Sequence, residues 1–86
     1  MKHLVLGAVA ALFLSSCGPA QSPECKKYMA CLKIVGNAAY QALVSSYETN
    51  GTCWTTTQSQ ADTCTAVCKN GLVSSKAAYP NETACQ

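Results

Sequence analysis

Three apolar patterns divide the chain. Behind Lys2, Leu4 to Leu14 runs eleven residues without a charge. A helix of that length reaches only about 16 Å, roughly half the hydrocarbon thickness of a bilayer, so it is too short to span one. The cationic start and the length suit the hydrophobic region of an export signal. Further on, Cys25, Tyr28, Leu32, Val35, Ala39 and Ala42 recur at steps of three and four, which predicts one face of a helix. Lys26, Lys27 and Lys33 fall off that stripe and are expected to face water. Ala61, Cys64, Cys68 and Leu72 make a second helical stripe.

Start and stop signals bracket these stripes. Ser22-Pro23-Glu24 offers an N-cap, a proline for the first helical position and an acid for the first turn. Gly36-Asn37 is a candidate break, with Asn37 capping the second piece. The first helical stretch should end at Tyr47 or Glu48, with Thr49-Asn50-Gly51 as a left-handed stop. Gly51 to Gln58 is threonine-rich without helical period and reads as an extended or irregular connection. Ser59-Gln60-Ala61-Asp62 is a capping-box-like start. The second helix stops at Lys69, where Asn70-Gly71 follows, or continues toward Ala78; Tyr79-Pro80-Asn81 ends it in either case. The expected fold is small and all-α, a disulfide-stapled helical hairpin.

Leu14-Ser15-Ser16-Cys17 closes the export signal. With leucine at −3, small residues at −2 and −1, and cysteine after the cut, it resembles the lipobox of bacterial lipoprotein precursors. The resemblance implies a diacylglyceryl group on the Cys17 thiol, cleavage before Cys17 and acylation of the new amino terminus. Two or three fatty chains anchor firmly where one is marginal, at about 0.8 kcal/mol per buried CH₂. Two other readings stand beside this one. Gly18-Pro19-Ala20 has small residues where ordinary signal peptidase needs them, and Cys17 could be a core cysteine after a short apolar segment. On the lipobox reading the chain divides into a signal peptide (1–16), an anchor and tether (17–22) and a cysteine-rich helical domain (23–86).

Composition narrows the chemistry. With 86 residues there is room for one small domain, not for a nucleotide-binding α/β fold or a barrel. Residues 17–86 hold five lysines, four acids (Glu24, Glu48, Asp62, Glu82) and no arginine, a net charge of +1. That is a poor match to a nucleic-acid reader. His3, the one histidine, leaves with the signal, so a catalytic triad lacks its base. Ser74-Ser75-Lys76 reads as a solvated helix end rather than a serine–lysine site. The four acids are scattered and suggest no paired-carboxylate centre. No cofactor is called for.

Residues 17–86 carry only fourteen large apolar side chains besides cysteine, a marginal core for 70 residues. Cysteine makes up the shortfall. Of seven, Cys17 is assigned to lipid, leaving Cys25, Cys31, Cys53, Cys64, Cys68 and Cys85 as an even set for three disulfides in an exported chain. Fifteen connectivities are open. If residues 51–58 run back about 26 Å along the first helix, antiparallel packing sets Cys68 opposite Cys25 and Cys64 opposite Cys31, and leaves Cys53 for Cys85. A zinc site from Cys25-x5-Cys31 and Cys64-x3-Cys68 competes weakly, since oxidising compartments favour disulfides and the spacing is wide. Trp54, the single tryptophan, either packs against a disulfide or stands out as an anchor for a protein partner. Lys26, Lys27 and Lys33 could touch anionic lipid, but they read first as a solvated face.

The layout Cys25-x2-Tyr28-x2-Cys31, Gly51-Thr52-Cys53-Trp54 and Cys64-x3-Cys68 resembles small cysteine-rich lipoproteins predicted in myxobacteria and related Gram-negative bacteria. The resemblance implies an anchored, helical, disulfide-bonded domain and carries no activity. The expected function is a non-enzymatic structural or interaction module of the cell envelope, held on its membrane by lipid. Gly18 after the lipidated cysteine, by analogy with enterobacterial sorting, points to the outer membrane. The alternative is a small exported inhibitor or toxin-like effector on the same scaffold.

Overall fold

A computed structural model describes residues 18–86, so the stretch expected to be an export signal and Cys17 lie outside the described residues. Ser22 starts the first helix as expected. Its hydroxyl accepts from the Cys25 N–H at 3.3 Å, Pro23 takes the first turn, and α1 runs Pro23–Val35. At Gly36 the chain does more than bend. Lys33 lies 5.7 Å over the Tyr40 ring, while Gln21 reaches the Tyr47 carbonyl at 2.8 Å, so α2 (Asn37–Tyr47) folds back antiparallel to α1. Gly36 itself is the N-cap of α2, at φ −149° and ψ 66°, and no side chain caps there; Asn37 is the first helical residue, not the cap.

The reversal resets the apolar phase. Ala39 and Ala42, expected on a continuous stripe, are exposed, and Tyr40, Leu43, Val44 and Tyr47 turn inward instead. The connection that follows is short and folded, not an extended return. Gly51 is buried, and a methyl group there would lie 2.1 Å from the Ser46 carbonyl oxygen. Glycine is required for room, since its φ of −73° is ordinary. Thr52–Trp54 then forms one 3₁₀ turn.

Helix α3 spans Gln58–Ala78, the longer of the two expected lengths. Thr57 caps it, accepting from the Gln60 N–H at 3.1 Å, two residues before the expected Ser59. Gly71 does not stop the helix because it serves another purpose: a Cβ there would meet the Tyr28 ring at 2.4 Å. The ring fills the notch. Tyr28–Gly71 and Cys25–Cys68 share a separation of 43 residues, so α3 runs parallel to α1. The molecule is an up-down-up arrangement of three helices. An antiparallel two-helix hairpin of the first and second apolar stripes is not what forms, because the chain reverses once at Gly36 and again between Tyr47 and Gln58.

Beyond Tyr79 the chain returns along α1 through a second 3₁₀ turn, Thr83–Cys85, and Lys27 donates to the Gln86 carbonyl at 2.8 Å. This return decides the disulfides. Cys25 pairs with Cys68, as the stripe geometry indicated, but Cys31 pairs with Cys85 and Cys53 with Cys64. The expected Cys31–Cys64 and Cys53–Cys85 pairs are exchanged for a simple reason. With α3 parallel to α1, Cys64 lies at the Cys25 end, beside the 3₁₀ turn that carries Cys53, and Cys31 meets the returning terminus.

Candidate functional site

Gly18 to Ser22 was expected to be a tether, and the structure folds it onto the bundle. Gly18, Pro19, Gln21 and Ser22 are each half-buried. Gly18 has φ +90°, a region that favours glycine, and a Cβ there would stand 2.5 Å from the Trp54 carbonyl oxygen and 3.2 Å from the Thr55 carbonyl carbon. Gln21 works as a latch. Its amide donates to the Tyr47 carbonyl at 2.8 Å and to Glu48 Oε1 at 3.5 Å, and its Oε1 accepts from the Thr49 hydroxyl at 3.3 Å.

The last carbonyls of any helix lack intrahelical partners. In α2 they are served from both sides of the same end. The Trp54 indole N–H donates to the carbonyls of Tyr47 at 3.3 Å and Glu48 at 3.0 Å, while Gln21 takes Tyr47 from the other side. Trp54 is 3% exposed and packs with Cys25, Cys53, Ala61, Cys64 and Cys68. It is a core residue that also caps a helix, and its ring is not offered as an anchor to a partner. The amino-terminal segment thus closes the end of the bundle where α1 begins, α2 ends and α3 begins.

The remaining candidates hold structural posts. Tyr40 donates to Glu48 Oε2 at 2.7 Å, and the phenol is held above its ordinary pKa, first by that carboxylate hydrogen bond, then by burial and the carboxylate's charge. Asp62 accepts from Gln58 at 2.9 Å, Glu82 accepts from the Ala84 N–H at 3.3 Å, and Glu24 sits in the first turn of α1. Lys26, Lys27 and Lys33 are exposed, as expected. Cys25, Cys31, Cys64 and Cys68 are all oxidised, so the thiolates a zinc site would need are consumed in bridges. Among the described residues no group of three histidine, cysteine, aspartate or glutamate side chains is placed to hold a metal. No helix of the described residues is long and apolar enough to cross a membrane.

No known protein family, curated protein or solved structure matches the chain.

The bundle's other end is open. A groove of about 340 Å³ lies between Val35, Ala78, Tyr79, Pro80, Asn81 and Glu82. Ile34 and Tyr79, exposed by 61% and 43%, belong to this end. Its lining sets the Tyr79 ring and the Glu82 carboxylate beside the apolar carbons of Val35, Ala78 and Pro80. Sequence reading missed the Gln21 latch and the Gly18 docking. A glycine directly after Cys17 was a signal for the second, and nothing in the sequence marks the first.

Proposed function

We propose that the chain is a lipid-anchored protein of a bacterial cell envelope, cut before Cys17, acylated there and acting without catalysis through contacts made by its disulfide-bonded helical domain. The docking of Gly18 carries this reading. Cleavage after Ala20 would strip away three residues, one of them a positive-φ glycine fitted against Trp54. Cleavage before Cys17 keeps the whole seat. The six remaining cysteines, all paired, further support an oxidising compartment outside the cytoplasm. By the analogy of Gly18 with sorting signals, that compartment is the inner face or surface of a Gram-negative outer membrane. The partner is another protein or the membrane itself, and nucleic acid is not among the candidates at a net charge of +1 for residues 17–86.

Intact-mass measurement of protein extracted from membranes in detergent, with thiol alkylation before and after reduction, tests it. The expected result is a chain beginning at Cys17 with acyl mass and six alkyl tags that add only after reduction. A chain beginning at Gln21 overturns the anchored reading in favour of a diffusible effector.

A further inference from the structure

The helices place one end of the bundle beside the first described residue. Gly18 lies against Trp54 and Thr55, and its Cα is one peptide unit, about 3.8 Å, from that of Cys17. If residues 17–22 were a free tether, six residues would spread over about 13 Å and let the domain tumble above its anchor. They are not free. Gly18 is seated and Gln21 is latched to Tyr47, Glu48 and Thr49, so the segment is held against the bundle back to its first described residue.

We infer that the domain lies on lipid headgroups in one orientation, with the Thr49–Gln58 end down and the Val35–Glu82 groove facing away. This rests on the proposed acylation of Cys17. The chemistry of the two ends fits it. Around Gly18 the exposed side chains are Ala20, Thr49, Asn50, Thr52 and the run Thr55 to Gln58, mostly hydroxyls and amides, flanked near the starts of α1 and α3 by Glu24, Lys26 and Asp62. Such a surface exchanges hydrogen bonds with zwitterionic headgroups and their water, and has no apolar side chain large enough to insert. The large exposed apolar residues, Ile34, Val67, Val73 and Tyr79, all lie outside it. Helix α3, 21 residues long, holds Tyr79 about 31 Å from the membrane-facing end. The groove is therefore held on the side of the domain away from the lipid.

The test is paramagnetic broadening in the acylated full-length mature protein, placed in lipid nanodiscs of phosphatidylcholine doped with a nitroxide headgroup lipid. Backbone amide signals of residues 49–58 and the Trp54 indole are expected to be broadened away, while those of 78–83 keep their intensity. A Gly18→Val variant, whose side chain cannot occupy the seat, should remain on the discs and show equal, weak broadening at both ends. Uniform broadening in the unmutated anchored protein overturns the orientation, as does stronger loss at 78–83. Protein that lacks acyl mass and does not co-purify with discs overturns the anchored reading, and the orientation falls with it; the two failures are thus told apart.

Discussion

Helix α1 has two neighbours and meets them by different means. Toward α3 the buried cluster is Cys25, Cys53, Trp54, Ala61, Cys64 and Cys68, four half-cystines in six residues. Toward α2 it is Met29, Leu32 and Tyr40, backed by Leu43, Val44 and Tyr47. One seam is covalent, and the other is ordinary apolar packing. The difference follows from supply. A chain with so few large apolar residues cannot fill two seams, so cystines act as both volume and constraint where α3 joins, and the scarce Met, Leu and Tyr are spent on α2. Helix α2 carries no cysteine at all; its carboxyl end is fastened instead by Gln21 and Trp54 on the Tyr47 carbonyl, and Glu48 there takes the Tyr40 hydroxyl. Tyr28 and Tyr47 join the two seams, since each packs against both clusters.

The largest effect should come from breaking the covalent seam. The bridges close loops of 43, 54 and 11 residues. Loop-closure entropy makes these about 4, 4 and 3 kcal/mol respectively, a sum that matches or exceeds the stability of a domain this small. Full reduction is therefore expected to unfold the chain, seen as loss of far-ultraviolet helical signal at room temperature. Among paired alanine substitutions, Cys25→Ala with Cys68→Ala should lower denaturant stability by about 4 kcal/mol or more, because buried volume goes as well. If the reduced protein keeps its helices and its cooperative melt, the packed seam is the stronger one and the comparison inverts.

Met29→Ala attacks the other seam. Met29 is 1% exposed, and truncating such a side chain costs about 2–5 kcal/mol. Here the cost should be local. With α1 and α3 still joined through Cys25–Cys68, α2 can open without the rest, so amide exchange should accelerate across residues 37–47 and change little in α3. Equal acceleration in both helices would mean that the two seams form one cooperative unit.

The same division explains what the sequence made legible. Both helical stripes, the Ser22 cap and the oxidised set of six cysteines follow from local periodicity, capping chemistry and parity, each of which is written in neighbouring residues. Direction is not local. Gly36 permits a kink, a continuation or a reversal with equal ease, and the stripe from Cys25 to Ala42 stays in phase across it on paper. The structure reverses there, which turns Ala39 outward, Tyr40 inward, makes α3 parallel to α1 and exchanges two of the three cystine pairs. Gly71 misleads for a related reason. Asn-Gly reads as a helix stop, yet this glycine exists to admit the ring of Tyr28 from a helix 43 residues away. Where α2 ends, Gln21 and Gly18 gain meaning only when the last turn of α2 and Trp54 arrive beside them.

A last and smallest effect separates the polar fastening of α2 from its packing. Tyr40 donates to Glu48, and its pKa is raised because the hydrogen bond favours the neutral phenol, with burial and the nearby negative charge adding to it. The unfolded chain titrates this phenol near its ordinary value of about 10. Below that pH both states hold the proton and the contribution is constant and complete. As pH rises above it, the unfolded state releases its proton first, so stability falls until the folded pKa is passed. Tyr40→Phe keeps the ring under Lys33 and in the Met29–Leu32 cluster, and removes only the hydroxyl. The variant should be slightly less stable at neutral pH and should lose less stability than the parent between pH 9 and 11, measured by urea unfolding at each pH. Every other side chain is common to both proteins, so the difference isolates the Tyr40 hydroxyl. Parallel pH profiles would show that the hydroxyl contact contributes nothing, and that α2 is held by packing and by the Gln21 and Trp54 caps alone.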